Sequence, residues 1–158
     1  LYISQRVRIA PESVDPTVKN YHWLDLVQSL FDAYDGGHDT SCVVDTAGNI
    51  AEGPGFNLFV VKSGTVTTPG RGVLHGISRQ TALELCTRLG IAAQLGPVTQ
   101  DALREADEVF ITSTAGGVMP VSKVNGVALA GFPGPVTQRI HAAYWAMHEE
   151  AAYRDAVY

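Results

Sequence analysis

Basic charge is scarce in this chain: 11 Lys and Arg stand against 16 Asp and Glu, for a net charge of -5. That balance excludes the basic patch that a nucleic acid or an anionic membrane surface would require. Long apolar runs are missing too, since none approaches the ~18–20 residues of a membrane span. Cysteine is nearly absent. Cys42 and Cys86 are the only 2, too few and too scattered for a disulfide framework or a thiolate metal site. A reducing, cytoplasmic setting is therefore expected. His22, His38, His75, His141 and His148 fall at no metal-ligand spacing such as HExxH, so no metal is expected. There is no internal repeat and no low-complexity linker.

What is present reads as one ordinary globular domain over residues 1–158. The chain is long enough for a sizeable core, with 46% hydrophobic residues and a mean hydropathy of +0.06. Tyr2 to Ile9 alternates crudely and predicts a strand. Trp23, Leu24, Val27, Leu30, Phe31 and Tyr34 then fall at helical spacing, which predicts an amphipathic helix stopped by Gly36-Gly37. Thr40 to Val44 predicts a short buried strand, Asp45 to Asn49 a turn, and Ile50 the start of a return strand.

Further along, Phe56 to Lys62 and Thr65 to Thr68 flank Ser63-Gly64, a hairpin signal. A glycine-rich loop, Pro69 to Gly76, leads into a helix with Ile77, Leu83, Leu85 and Leu89 apolar and Gly90 as its stop. Ile91 to Leu95 and Glu108 to Thr112 predict strands, with Thr99 capping a short helix through Ala106 between them. Val118 to Val124 and Val127 to Ala130 straddle Asn125-Gly126, the strongest short hairpin signal in the chain. Val136 onward predicts a long helix with Ile140, Tyr144 and Met147 on one side. Hairpin strands with irregularly interspersed helices point to an α+β domain rather than a doubly wound sheet.

Four motifs follow one another in order: Val18-Lys19-Asn20-Tyr21, then Ala51 to Phe59 (AEGPGFNLF), then Leu74 to Arg79 (LHGISR), then Ser113 to Pro120 (STAGGVMP). Together they resemble the pyridoxal-phosphate enzymes of fold type IV. These are the branched-chain and D-amino-acid aminotransferases, the aminodeoxychorismate lyases and the (R)-selective amine transaminases. The resemblance runs from about Val14 to the C-terminus. It implies a sheet-rich pseudo-barrel domain with helices packed around it and pyridoxal 5'-phosphate at its mouth. The family carries a smaller N-terminal domain ahead of this region, and the chain opens at Leu1 directly in a strand-like run. The expectation is a C-terminal half whose N-terminal domain is absent.

A cofactor of this kind needs a lysine for its aldehyde, an acid for its ring nitrogen, donors for its phosphate and an apolar floor. The resemblance assigns Lys19 as the Schiff-base lysine, expected among apolar neighbours that favour its neutral form. Lys62 and Lys123 sit at tight turns and read as solvated. Glu52 becomes the partner of the ring nitrogen, although its residue type and position alone fit a surface glutamate at a hairpin end. Gly76, Ile77 and Ser78 at a helix start become the phosphate site, and Ser78 also suits an ordinary capping role. Thr114 matches a second phosphate-binding loop that borders the substrate together with Ala115. Leu74 matches the residue beneath the ring. Trp23 reads as either a substrate-pocket wall or a core tryptophan.

Two departures stand out. Leu24 occupies the position where the branched-chain enzymes have a tyrosine. The family's phosphate-binding arginine belongs to the N-terminal part, and Arg6, Arg8 and Arg79 are not obvious substitutes. Thr114 to Pro120 and Tyr144 to His148 (YWAMH) resemble the (R)-selective amine transaminases. The implied activity is transfer of an amino group from an (R)-amine, or a D- or branched-chain amino acid, to a keto acid such as pyruvate. A homodimer with the site near its interface is implied as well. A lyase reaction on the same scaffold and an inactive, dimerising fragment remain the alternatives.

Overall fold

The computed structural model describes residues 1–153. Its elements are β1 (Tyr2–Val7), α1 (Leu24–Asp35), β2 (Ser41–Val44), β3 (Asn57–Lys62), β4 (Thr65–Pro69), α2 (Ile77–Arg88), β5 (Ala93–Gly96), α3 (Gln100–Arg104), β6 (Glu108–Ser113), β7 (Gly117–Pro120), β8 (Lys123–Val124), β9 (Val127–Ala128) and α4 (Pro135–Met147). A single 3-10 turn, Ala151–Tyr153, follows α4. The domain is α+β, as expected, although its pairing is less hairpin-like than the sequence suggested.

A five-stranded sheet in the order β5-β4-β3-β6-β7 forms the centre. Ser63 and Gly64 both adopt positive φ, the geometry of a two-residue hairpin turn, and join β3 to β4. Asn125 and Gly126 do the same between β8 and β9, which form a small sheet of their own. The predicted strand Val118 to Val124 is thus two pieces: β7 pairs with β6, and only Lys123–Val124 belongs to the hairpin. Ile50 forms isolated bridges to Val44 and Val98 instead of starting a strand, and these bridges tie the sheet of β1 and β2 to the rest.

Two pairings are parallel. β1 pairs with β2 across the connection containing α1, and β4 pairs with β5 across α2. Parallel neighbours require a crossover long enough to return the chain, and a helix supplies it. Both crossovers leave the C-terminal ends of their first strands at the same end of the domain, where Arg8 to Trp23 and Gly70 to Gly76 become irregular.

The apolar run of β3 is explained by burial on both faces. Leu58 and Val60 point into a core shared with Ile3, Cys42, Val44, Ile50 and Val98. Phe59 and Val61 point the other way, into a core closed by Leu85 of α2 and Ile140 of α4. Directly across the ladder, Phe59 faces Phe110 of β6, their rings stacked 4.5 Å apart at 8°.

Helix α1 corrects the sequence reading. Its apolar residues Leu24, Val27, Phe31 and Tyr34 face outward, while Leu26, Ser29 and Ala33 are buried. The reason is a set of polar ties along the other side. Asp32 accepts from Ser4 Oγ and from Arg6 Nε and Nη2, and Ser29 Oγ meets Ser41 Oγ at 2.8 Å. Small residues on that side let the helix lie close to β1 and β2. Ile77, at the start of α2, is likewise outward, 81% exposed.

The stacked pair gives a stability test. Phe59→Ala removes a fully buried ring from the centre of the sheet, so urea unfolding should show a loss of about 3–5 kcal/mol. Phe31→Ala, on the outward side of α1, should change little in the same measurement.

Candidate active site

The loop from Arg8 to Trp23 is held by short polar turns. Asp15 Oδ1 accepts from the Thr17 N–H and hydroxyl, Asn20 Nδ2 donates to the Val18 carbonyl, and the His22 N–H donates to Asn20 Oδ1. Asn20 therefore braces the chain on both sides of Lys19. Lys19 itself is exposed, where the sequence reading placed it among apolar groups. Its neighbours Val18 and Tyr21 also point outward, Tyr21 being 101% exposed. The side chain stands at the rim of an open cleft and not in an enclosed pocket.

That cleft holds about 630 Å³ of space, part of it open to solvent, and is lined by Lys19, Trp23, Glu52, Leu74, Gly76, Ile77, Ser78 and Thr114. Every residue assigned from the four motifs is thus gathered at one place except Ala115, which is exposed and lies outside the lining. Leu24 also points away from the cleft, outward from α1. Trp23 lines the cleft wall while remaining partly exposed, so it is not a core tryptophan.

Glu52 is only 5% exposed and is no surface glutamate. Its Oε1 accepts from Arg8 Nε at 3.1 Å and its Oε2 from the Leu74 N–H at 3.0 Å. Burial pushes its pKa up, opposed by the Leu74 N–H and the Arg8 guanidinium. Each carboxylate oxygen can accept twice, so capacity remains for a donor from the cleft.

The N-terminus of α2 opens on the same cleft, and no side chain caps it. The other late helices differ: Thr99 Oγ1 accepts from the Ala102 N–H of α3, and the Glu108 carboxylate takes the Val136 and Thr137 N–H groups of α4. An uncapped first turn presents unpaired N–H groups and the positive end of the helix dipole. Gly76 is required there, because a Cβ would sit 2.4 Å from Asn57 Oδ1. Ser78 Oγ is already engaged, 3.1 Å from the Ser113 carbonyl and 3.2 Å from Tyr144 Oη. Its hydroxyl therefore locks α2 to β6 and α4.

Two polar atoms of the lining are buried without a partner, Thr112 Oγ1 and Arg79 Nε. Both can donate. A site with a carboxylate at one side, unspent donors, an uncapped helix start and a lysine at the rim suits an anionic aromatic aldehyde such as a pyridoxal phosphate. Sequence reasoning missed Arg8, Thr112 and Arg79. In the sequence Arg8 stands like Arg6 among the polar residues of a strand-like run, and only its inward turn at the end of β1 distinguishes it.

The fold and the sequence together define a class, the class IV aminotransferase family. The sequence matches the family Amino-transferase class IV over residues 1–124, and the chain belongs to that family. Among curated relatives, the branched-chain-amino-acid aminotransferase of Pseudomonas aeruginosa is 37% identical over 128 residues, covering 80% of this chain and 42% of that protein. That of Escherichia coli (strain K12) is 36% identical over 151 residues, covering 92% and 48%. Among solved structures, the Thermoproteus uzoniensis branched-chain aminotransferase with norvaline superposes with a TM-score of 0.89 at 28% identity, over 96% of this chain and 52% of that one. The Thermobaculum terrenum enzyme in its PLP form gives 0.90 at 26%, over 97% and 52%. The chain spans about half the length of the curated relatives it matches. Among the described residues, no helix is long and apolar enough to cross a membrane.

The raised pKa of Glu52 sets a pH dependence. In the unfolded chain the group loses its proton near its ordinary value of 4.5, but in the folded chain it holds it to higher pH. The native state is therefore favoured below 4.5, and that advantage fades as pH rises through the folded pKa. Urea unfolding of the wild type and Glu52→Gln across this window should show the wild type losing stability relative to the variant as pH rises. A difference that is flat or runs the other way contradicts the assignment.

Proposed function

We propose that this chain is the cofactor-binding half of a pyridoxal-phosphate-dependent aminotransferase. The observation that carries the reading is the convergence, on one cleft, of Lys19, the buried Glu52 carboxylate and the uncapped start of α2. The PLP form named for the Thermobaculum terrenum enzyme supports it.

Bound in the cleft, pyridoxal 5'-phosphate supplies an electron sink for negative charge left on a substrate carbon. Lys19 is the residue that would hold its aldehyde carbon, and when free it takes and returns the proton at the amine-bearing carbon of the substrate. Glu52 would lie toward the ring nitrogen and keep a proton there by charge. Leu74 would form the floor. The first-turn amides at Gly76, Ile77 and Ser78, with Thr114, would take the phosphate. Because Ser78 Oγ is engaged by Ser113 and Tyr144, its contribution comes through its backbone N–H. Trp23, Thr114 and Ala115 border the substrate.

The donor in this reading is an (R)-amine or a D- or branched-chain amino acid, and the acceptor a keto acid such as pyruvate. The (R)-amine rests on the likeness of Thr114–Pro120 and Tyr144–His148 to that subgroup, and the branched-chain amino acid on the names of the relatives. The relatives contain about as much chain again, and we place the family's N-terminal domain over the open mouth at Val18, Tyr21 and Ile77. The outward residues of α1 are the contact we assign to a homodimer. A cytoplasmic setting suits Cys42 and Cys86, both free thiols and both buried.

Borohydride reduction after incubation with the cofactor, followed by peptide mapping, should place the label on Lys19. A label on Lys62 or Lys123 contradicts the assignment. A panel of (R)-amines, D-amino acids and branched-chain amino acids with pyruvate should show which donor supports turnover, and turnover with none of them contradicts the reaction.

A further inference from the structure

Glu52 does not stand alone. Arg8, at the end of β1 and only 8% exposed, lies between two carboxylates. Its Nε donates to Glu52 Oε1, while its Nη1 reaches both oxygens of Asp25 at 3.1 and 2.8 Å and the His22 carbonyl at 3.2 Å. The Ile9 N–H donates to Asp25 Oδ2 at 2.9 Å, so the same segment grips Asp25 twice. Asp25 lies in the first turn of α1, and His22 is three residues beyond Lys19.

We infer that Arg8 is the positioning residue of this cleft: its guanidinium ties the Glu52 carboxylate to the first turn of α1 and to the loop that carries Lys19. The inference rests on the aminotransferase reading for its consequence, since Lys19 and Glu52 would then hold opposite ends of one cofactor. The tie itself does not depend on that reading. A planar fork bonding in two directions is what this geometry uses, and a lysine ammonium cannot reproduce it.

The tie also sets charge. Glu52 is faced by Arg8 from the end of β1, by Asp25 from α1 and by Arg79 from α2, which feels the Glu52 charge. Burial and Asp25 both favour the protonated form of Glu52, while Arg8 and the Leu74 N–H favour the carboxylate. Arg79 donates Nη2 to the Pro69 carbonyl and makes no ion pair among the described residues. Removing Arg8 therefore leaves the buried Glu52 carboxylate facing the partly buried Asp25, and Glu52 takes up a proton.

The test reads Glu52 directly in the full chain without cofactor. Carbon-13 label in the glutamate carboxyls, with the Glu52 signal assigned by its loss in Glu52→Gln, gives a titration curve. In Arg8→Gln the Glu52 titration should move up by at least one pH unit, about a tenfold change in the proton equilibrium. Arg8→Lys should restore most of the charge effect but not the two-way tie. Titration of both variants with pyridoxal 5'-phosphate, followed by absorbance, should then show affinity reduced about tenfold or more in Arg8→Gln, and reduced in Arg8→Lys as well.

Asp25→Asn covers the case in which Arg8→Gln does not fold. Asp25 is not itself part of the cleft lining and reaches it through Arg8 and the Leu26 N–H, so weakened cofactor binding with Glu52 still ionised supports the tie. An unmoved Glu52 titration in folded Arg8→Gln, or unchanged cofactor affinity in Asp25→Asn, overturns the inference. Absence of cofactor binding in the wild type, with the Glu52 shift still seen in Arg8→Gln, retains the tie and removes the aminotransferase reading instead.

Discussion

A carboxylate shut away from water must find partners, or it takes up a proton. Glu52 meets that demand with an arginine from the end of β1 and a backbone N–H from the segment before α2. Three stretches distant in sequence are thereby brought to one point: Arg8 after the first strand, Glu52 before β3, and Leu74 after β4. Arg8 adds a fourth, the start of α1 through Asp25. The cleft is organised around this buried charge, because each wall contributes one of its partners. Its cost in desolvation is offset only while all of them are in place.

The sheet explains why those stretches meet. β3 and β6 run through the middle with apolar residues on both faces, so one central layer separates two cores. Both parallel crossovers return through helices and leave their loops at one end. The carboxyl ends of parallel strands, with helix N-termini beside them, are a recurrent place for an anionic ligand. Of the last three helices, α2 is the one left without a side-chain cap at its first turn, while α3 and α4 have theirs. The Ser78–Tyr144 contact then fixes α2 against the last helix, so the open first turn is rigidly held.

Much of this was legible in the sequence, and the exceptions share a cause. The turns at Ser63-Gly64 and Asn125-Gly126 were readable because positive φ demands particular residues locally. The helix ends at Gly36-Gly37 and Gly90 were readable for the same reason. The parallel partners of β1 and β5 were not, since pairing across a crossover leaves no local mark. The orientation of α1 was misread because its apolar stripe is real, yet Asp25, Ser29 and Asp32 on the opposite side have specific partners on β1 and β2 or just beyond them. Lys19, Glu52 and the Gly76 turn came from motif resemblance. Arg8 did not, because an arginine at a strand end looks solvent-facing until its carboxylates are in view.

The central claim is that the cleft holds one ligand between the buried Glu52 and the open start of α2, with Lys19 reaching it from the rim. A crystal structure of the chain grown with pyridoxal 5'-phosphate tests this most directly. The account predicts the ring nitrogen within hydrogen-bond distance of Glu52, the phosphate at the first-turn amides of Gly76 to Ser78, and continuous density from Lys19 Nζ. A phosphate seated away from α2, or a ring nitrogen turned away from Glu52, would contradict it.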